Sequence, residues 1–211
     1  MSERTDELIE ELGYKVETSG KPKKNQPQTP DEAQGRDLFQ TPNYAVDLLV
    51  PFIPKNITRV WDCAAGNRKI TNQLSFVHEY LEFSTDIREA EQVDIFNFLS
   101  DVSEYPLPPN TAIITNPPYS LKRKFYEKCL GYKVPFALLI PFDMNQWICN
   151  AFEKDGCQAL VPNSRINYIT PNGKSGKNSS AQFHSFWLTY MFDLPKQLTI
   201  VELTKEMKEN I

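Results

Sequence analysis

From Phe39 onward the apolar positions of the chain fall into two alternating periods. Tyr44, Leu48, Leu49 and Phe52 recur at helical spacing. In contrast, Arg59–Cys63, Leu81–Thr85, Ala112–Thr115, Phe136–Ile140 and Gln158–Val161 are short apolar runs of strand length, with helical patterns between most of them. Thr41-Pro42 has the form of a cap residue followed by proline at the first helical position. Runs such as Ala112-Ile113-Ile114 suit strands covered on both faces, because no polar residue marks a solvated side. After Arg165 the rhythm changes, and Ile166–Ile169, Phe183–Met191 and Leu198–Leu203 read as strands without long helices between them. The pattern predicts a three-layer α/β fold with a mostly parallel sheet and antiparallel strands toward the C-terminal end.

Residues 1–35 do not share this rhythm. They carry five basic and eight acidic side chains, net −3 of the chain's −4, leaving −1 for residues 36–211. A short helix is expected around Thr5–Leu12, and Pro22, Pro27 and Pro30 in a stretch almost without apolar residues predict a flexible acidic arm. The remaining 36–211 is expected to form one domain. No apolar run reaches the roughly 18 residues of a membrane span, and the first residues lack the basic and apolar regions of a signal peptide, so a cytoplasmic protein with no membrane partner is expected. Cys63, Cys129, Cys149 and Cys157 form no C-x-x-C pair, and the two histidines, His78 and His184, stand alone. Free thiols and no metal site are the expectation. The acidic balance means that any nucleic-acid partner must be met by a local basic surface.

Proline outnumbers glycine, 16 to 8, and two of those prolines sit in the strongest local signal, Asn116-Pro117-Pro118-Tyr119, directly after the strand Ala112–Thr115. In an open α/β sheet ligands bind beyond the carboxyl ends of the strands. An exocyclic amine presents two N–H donors, which the Asn116 side-chain oxygen and the Pro117 carbonyl can accept. Consecutive prolines stiffen the loop that holds those acceptors, and Tyr119 offers a face on which a base can stack. A rigid strand-to-helix turn without function is the competing reading.

These four residues resemble the catalytic motif of the amino-methyltransferases that use S-adenosylmethionine. Val60-Trp61-Asp62-Cys63-Ala64-Ala65-Gly66-Asn67 is similar to the family's first cofactor motif, with Arg68 where another glycine is usual. Asp86, twenty residues after Gly66, stands where an acid takes the ribose hydroxyls, with Ile87 beside it. Val93-Asp94-Ile95-Phe96 looks like the motif that holds the cofactor's adenine. Phe39-Gln40-Thr41-Pro42 resembles the element that closes over its methionine end. Their order is that of one large group of DNA adenine-N6 methyltransferases, and most like the small stand-alone enzymes of phages.

The resemblance implies a Rossmann-like αβα fold with a mostly parallel seven-stranded sheet and an antiparallel C-terminal strand. It implies methyl transfer from S-adenosylmethionine to adenine N6 in DNA, by direct in-line transfer to a flipped base. RNA or a protein glutamine is the less expected substrate, and a silent binding domain is the non-enzymatic alternative. Asn116, Pro117, Pro118 and Tyr119 would be catalytic; Phe39, Thr41, Asp62, Ala64, Gly66, Asp86, Ile87, Asp94 and Phe96 would hold the cofactor. Candidate substrate contacts are Lys122, Arg123, Arg165, Lys174 and Lys177, for which solvated surface is the competing reading, and Phe186 and Trp187, near a histidine better suited to core packing.

Overall fold

The computed structural model describes residues 39–100, 107–170 and 183–209; the expectations for residues 1–35 and for Lys174 and Lys177 fall outside them. The chain runs from a short helix α1 (Asn43–Asp47) and a 3-10 turn (Val50–Phe52) into β1 (Arg59–Asp62), α2 (Lys69–Val77), β2 (Leu81–Asp86) and β3 (Asp94–Ile95). It continues with β4 (Thr111–Thr115), α3 (Lys122–Tyr132), β5 (Phe136–Pro141), α4 (Gln146–Glu153), β6 (Gln158–Pro162), β7 (Ser185–Tyr190), β8 (Leu198–Val201) and α5 (Lys205–Glu209). The single sheet has the order β3-β2-β1-β4-β5-β7-β6-β8.

Alternate strand residues serve opposite layers, as the pleat requires. Val60, Ala112, Ile114, Ala137, Leu139 and Trp187 pack against α1 and α2 on one face. Trp61, Ile113, Phe136, Leu138 and Phe186 pack against Phe125 and Cys129 of α3 and Ile148 and Ala151 of α4 on the other. The three-layer α/β architecture read from the sequence is therefore present. The strand count is corrected from seven to eight, because the two-residue β3 adds an edge beside β2. The expected strand Ile166–Ile169 is not continuous and carries isolated bridge residues at Asn167 and Ile169, Ile169 pairing with Gln40 through two bonds of 2.9 and 3.0 Å. The antiparallel strand is also not the last one. It is β7, inserted between β5 and β6 and antiparallel to both, whereas the terminal β8 runs parallel to β6.

Two tryptophans fix the layers. On one face Trp61 stacks on Phe83 at 5.2 Å and meets Phe98 edge-on at 5.3 Å, its indole N–H donating to Thr85 Oγ1 at 2.9 Å. On the other, Trp187 Nε1 donates to the Ala45 carbonyl at 2.9 Å, tying α1 to a strand 142 residues away. Phe186 and Trp187 are both 0% exposed, so the expectation that they contact substrate is corrected: their apolar bulk belongs to the two cores. Replacing Trp187 by Phe strands the Ala45 carbonyl and leaves a void. It should cost about 1–3 kcal/mol in urea unfolding, seen as a lower midpoint at unchanged slope.

Candidate functional site

The sheet order reverses at β1, whose two neighbours β2 and β4 lead away in opposite directions. The crevice at the carboxyl ends of these strands is where an α/β sheet binds ligands, since the crossovers there diverge. Two adjoining cavities of about 250 and 460 Å³ occupy it, and Ala64, Asp86, Arg88 and Asn116 border both. Three strand ends thus deliver three polar side chains to one cleft: Asp62 from β1, Asp86 from β2 and Asn116 from β4.

Asp62 is only 1% exposed. The Thr115 hydroxyl donates to its Oδ1 at 2.6 Å and the Ala64 amide at 3.3 Å. Burial pushes its carboxyl up to about 7, with the carboxylates of Asp86 and Glu82 adding to the rise and the two hydrogen bonds opposing it. Asp86 behaves oppositely although it is also buried. Burial alone would raise it, but the Arg88 side chain, the Arg88 amide and the Gly66 amide together hold it below the usual carboxylate range. Gly66 N donates to Asp86 Oδ2 and Arg88 N to Oδ1, both at 2.9 Å, and Arg88 Nε reaches Oδ1 at 3.1 Å.

The turn between β1 and α2 places Gly66 at φ 50° and Arg68 at φ 58°. A β-carbon at Gly66 would meet nothing nearer than Arg88 Nη2 at 3.9 Å, so glycine is favoured there by backbone conformation rather than by space. Arg68 holds the same left-handed conformation, at a cost of about 1 kcal/mol for a residue with a side chain. That side chain lines neither cavity, and so does not crowd the cleft. Lys69 and Ile70, in the first turn of α2, do line the smaller cavity.

Asn116 stands where the cavities meet. Its Nδ2 donates to the Phe39 carbonyl at 3.4 Å, whereas its Oδ1 is buried with no hydrogen-bond partner. A buried acceptor left unpaired costs free energy, which a ligand donor would recover. Thr41 is 3% exposed and, with Phe39 and Gln40, closes the smaller cavity from the α1 side. Pro118 lines the larger cavity, Pro117 is buried and lines neither, and Tyr119 packs edge-on to Phe183 at 5.3 Å and to Tyr168 at 6.2 Å.

The larger cavity is mainly apolar, and Phe96 and Ile87 are among the residues that line it. Asp94 does not: it is exposed and borders neither cavity, because the short β3 turns it outward. Asn97, three residues on, lines the cavity instead and accepts the Leu99 amide at 3.0 Å. The sequence reading missed Asn97 because it took the acid as the signal, although Phe96-Asn97-Phe98 carries the aromatic residues that frame the wall. Cys63 also lines this cavity, and burial keeps its thiol well above the usual range, so it is protonated at neutral pH.

The basic candidates are dispersed. Lys122 pairs with Asp143 at 2.8 Å, Arg123 pairs with Glu127 one helical turn away at 2.8 Å, and neither borders a cavity. Arg165 is exposed and its carbonyl accepts Lys208 Nζ at 2.8 Å. His184 is held in the fold, its Nε2 2.6 Å from the Pro162 carbonyl. Among the described residues no three His, Cys, Asp or Glu side chains converge to hold a metal ion, and no helix is long and apolar enough to cross a membrane.

The Asp62 carboxyl gives a pH signature. A folded-state value raised from 3.8 to about 7 means that the native protein binds the proton more tightly than the unfolded chain. Stability is therefore lost as pH rises through that window and is flat above it. Asp62→Asn keeps an oxygen for Thr115 and Ala64 without the charge. Its melting temperature should exceed that of the unaltered protein at about pH 8, with the difference disappearing by about pH 4.

No protein-family model matches the chain, and no curated protein matches it significantly. Among solved structures it is similar to the Pyrococcus horikoshii protein PH1948, provisionally assigned as an RNA methyltransferase, at 13% identity and a TM-score of 0.47 over 90% of this chain and 98% of that one. It is also similar to the 23S rRNA methyltransferase ErmE, at 9% identity and a TM-score of 0.45 over 72% of this chain and 68% of that one.

Proposed function

We propose that this protein transfers the methyl group of S-adenosylmethionine to the exocyclic N6 amine of adenine in DNA. The observation that carries the reading is the buried, unpartnered Asn116 Oδ1 at the junction of the two cavities. An amine there gains an acceptor that the protein leaves unpaired, on a loop stiffened by two prolines.

The donor set fits the cofactor in the order of its parts. Along the cleft lie Asp62 with Lys69, suited to a zwitterionic amino-acid end; Asp86, suited to ribose hydroxyls; and Ile87, Phe96 and Asn97, suited to a purine. When bound, the cofactor supplies an electrophilic methyl on a sulfonium sulfur. Ionised Asp62 neutralises the ammonium, and the first turn of α2 with Lys69 receives the carboxylate. Asn116 holds the substrate amine so that its lone pair faces the cleft. No nucleophile from the protein is needed, in keeping with the protonated Cys63 thiol. Catalysis is positioning and preorganised electrostatics. Tyr119, on the same loop as Asn116 and edge-on to Phe183, is the aromatic residue on which an extruded base would stack.

The order of the Phe39, Gly66, Asp86 and Asn116 elements favours DNA adenine as the substrate. Labelled S-adenosylmethionine offered with duplex DNA, RNA and protein should place the label in N6-methyladenine of DNA. Asn116→Ala should lower that rate by about 10²–10³-fold with cofactor affinity retained. Label in RNA or in a glutamine side chain, with DNA untouched, would reassign the substrate. Absence of cofactor binding by calorimetry would favour a silent binding domain.

A further inference from the structure

Position 68 sets backbone against side chain. Its φ of 58° is one that glycine adopts without steric cost, yet the chain carries arginine there. The guanidinium supplies a reason. Nη2 donates to Glu82 Oε1 at 2.6 Å, the two side chains being 16% and 21% exposed, and Nη1 donates to Gln92 Oε1. Glu82 lies on β2, the strand that ends in Asp86. Gln92, itself at φ 56°, lies on the loop that leads into β3 and Phe96.

We infer that Arg68 is a positioning residue that clamps the Gly66 turn to β2 and to the β2–β3 loop, fixing the distance between the two walls of the cleft. The inference rests on the reading of that cleft as a cofactor site. One wall is the turn and the start of α2; the other is Asp86 through Asn97. The main chain already joins them through Ala65 N to the Thr85 carbonyl at 3.0 Å and through Gly66 N to Asp86 Oδ2 at 2.9 Å. Both of these ties end on β2. Among the hydrogen bonds of the turn to described residues, those of the Arg68 side chain also reach the loop beyond it. Arg68 Nε and Glu82 Oε2 are buried without hydrogen-bond partners, so the Nη2 to Oε1 contact is the one that compensates this carboxylate. Removing the guanidinium leaves Glu82 uncompensated and the loop untied.

The substitution Arg68→Gly separates the clamp from the backbone, because glycine relieves the left-handed strain while deleting the side chain. If strain dominates, the variant is tighter and more stable. If the clamp dominates, amide hydrogen exchange at Gly66 and Phe96 in the free protein accelerates about tenfold, and S-adenosylmethionine binds about tenfold more weakly, the scale of one lost charge-assisted hydrogen bond. The turnover rate at saturating cofactor stays within about twofold, since only uniform binding is lost. Glu82→Gln and Gln92→Ala, which leave the turn backbone untouched, should each reproduce part of both effects and carry the test should Arg68→Gly fail to fold. Unchanged or slower exchange at both amides overturns the clamp, and faster exchange with unchanged cofactor affinity overturns its positioning role. If the unaltered protein does not bind S-adenosylmethionine, the cofactor reading falls, and the exchange measurement still decides the clamp.

Discussion

The hydrogen bond from Thr115 to Asp62, 2.6 Å long and fully enclosed, joins the carboxyl ends of two adjacent parallel strands whose residues are 53 positions apart. Thr115 is the residue before Asn116, and Asp62 opens the turn that contains Gly66. The bond therefore sets where the amide of Asn116 stands relative to that turn. A carboxylate so deeply enclosed would be costly without donors. The Thr115 hydroxyl and the Ala64 amide offset part of that cost, and the rest appears as a carboxyl raised to about 7. Much of the electrostatics of the cleft depends on this arrangement, because an acid enclosed there changes charge within the physiological range.

The neighbouring Asp86 shows how position alone reverses the behaviour of the same functional group. It is almost as enclosed, at 3% exposure, yet it accepts from two backbone amides and the Arg88 guanidinium and is held ionised. One cleft thus contains a carboxyl poised to titrate and another fixed as an anion. The difference lies in the donors each strand end can reach, one of which is the amide of a residue in the left-handed region, Gly66. The same bend carries the chain from β1 into α2 and turns the Arg68 side chain away from the cleft toward Glu82.

The cations give a contrasting picture. On α3 the candidate contacts Lys122 and Arg123 are already matched by Asp143 and Glu127, and Lys128 lies over the Phe98 ring with its ammonium on the Ser100 carbonyl. Exposed pairs of this kind contribute little to stability. Their consequence is for the surface field, which is more mixed around Asn116 than the basic run Lys122-Arg123-Lys124 implies when read along the chain.

The sequence by itself determined the alternation of strands and helices, the two-sided burial of the central strands and the placement of Asp62, Asp86 and Asn116 at strand ends, because these follow from local periodicity and from residue types whose conformational preferences act within a few positions. It did not determine which strand runs antiparallel, that Ile166–Ile169 forms isolated bridges, one of them to Gln40, instead of a strand, or that Phe186 and Trp187 are core. Those depend on what lies opposite each segment after the chain has folded back across the sheet. The tertiary structure also decided between neighbours that composition could not separate. It left Asp94 away from both cavities and put Asn97 along the larger one, and it gave Arg68 an acid and an amide to hold in place of an open glycine turn. Side-chain direction at a turn or a two-residue strand is set by contacts from distant parts of the chain, and such contacts have no periodicity to be read in advance.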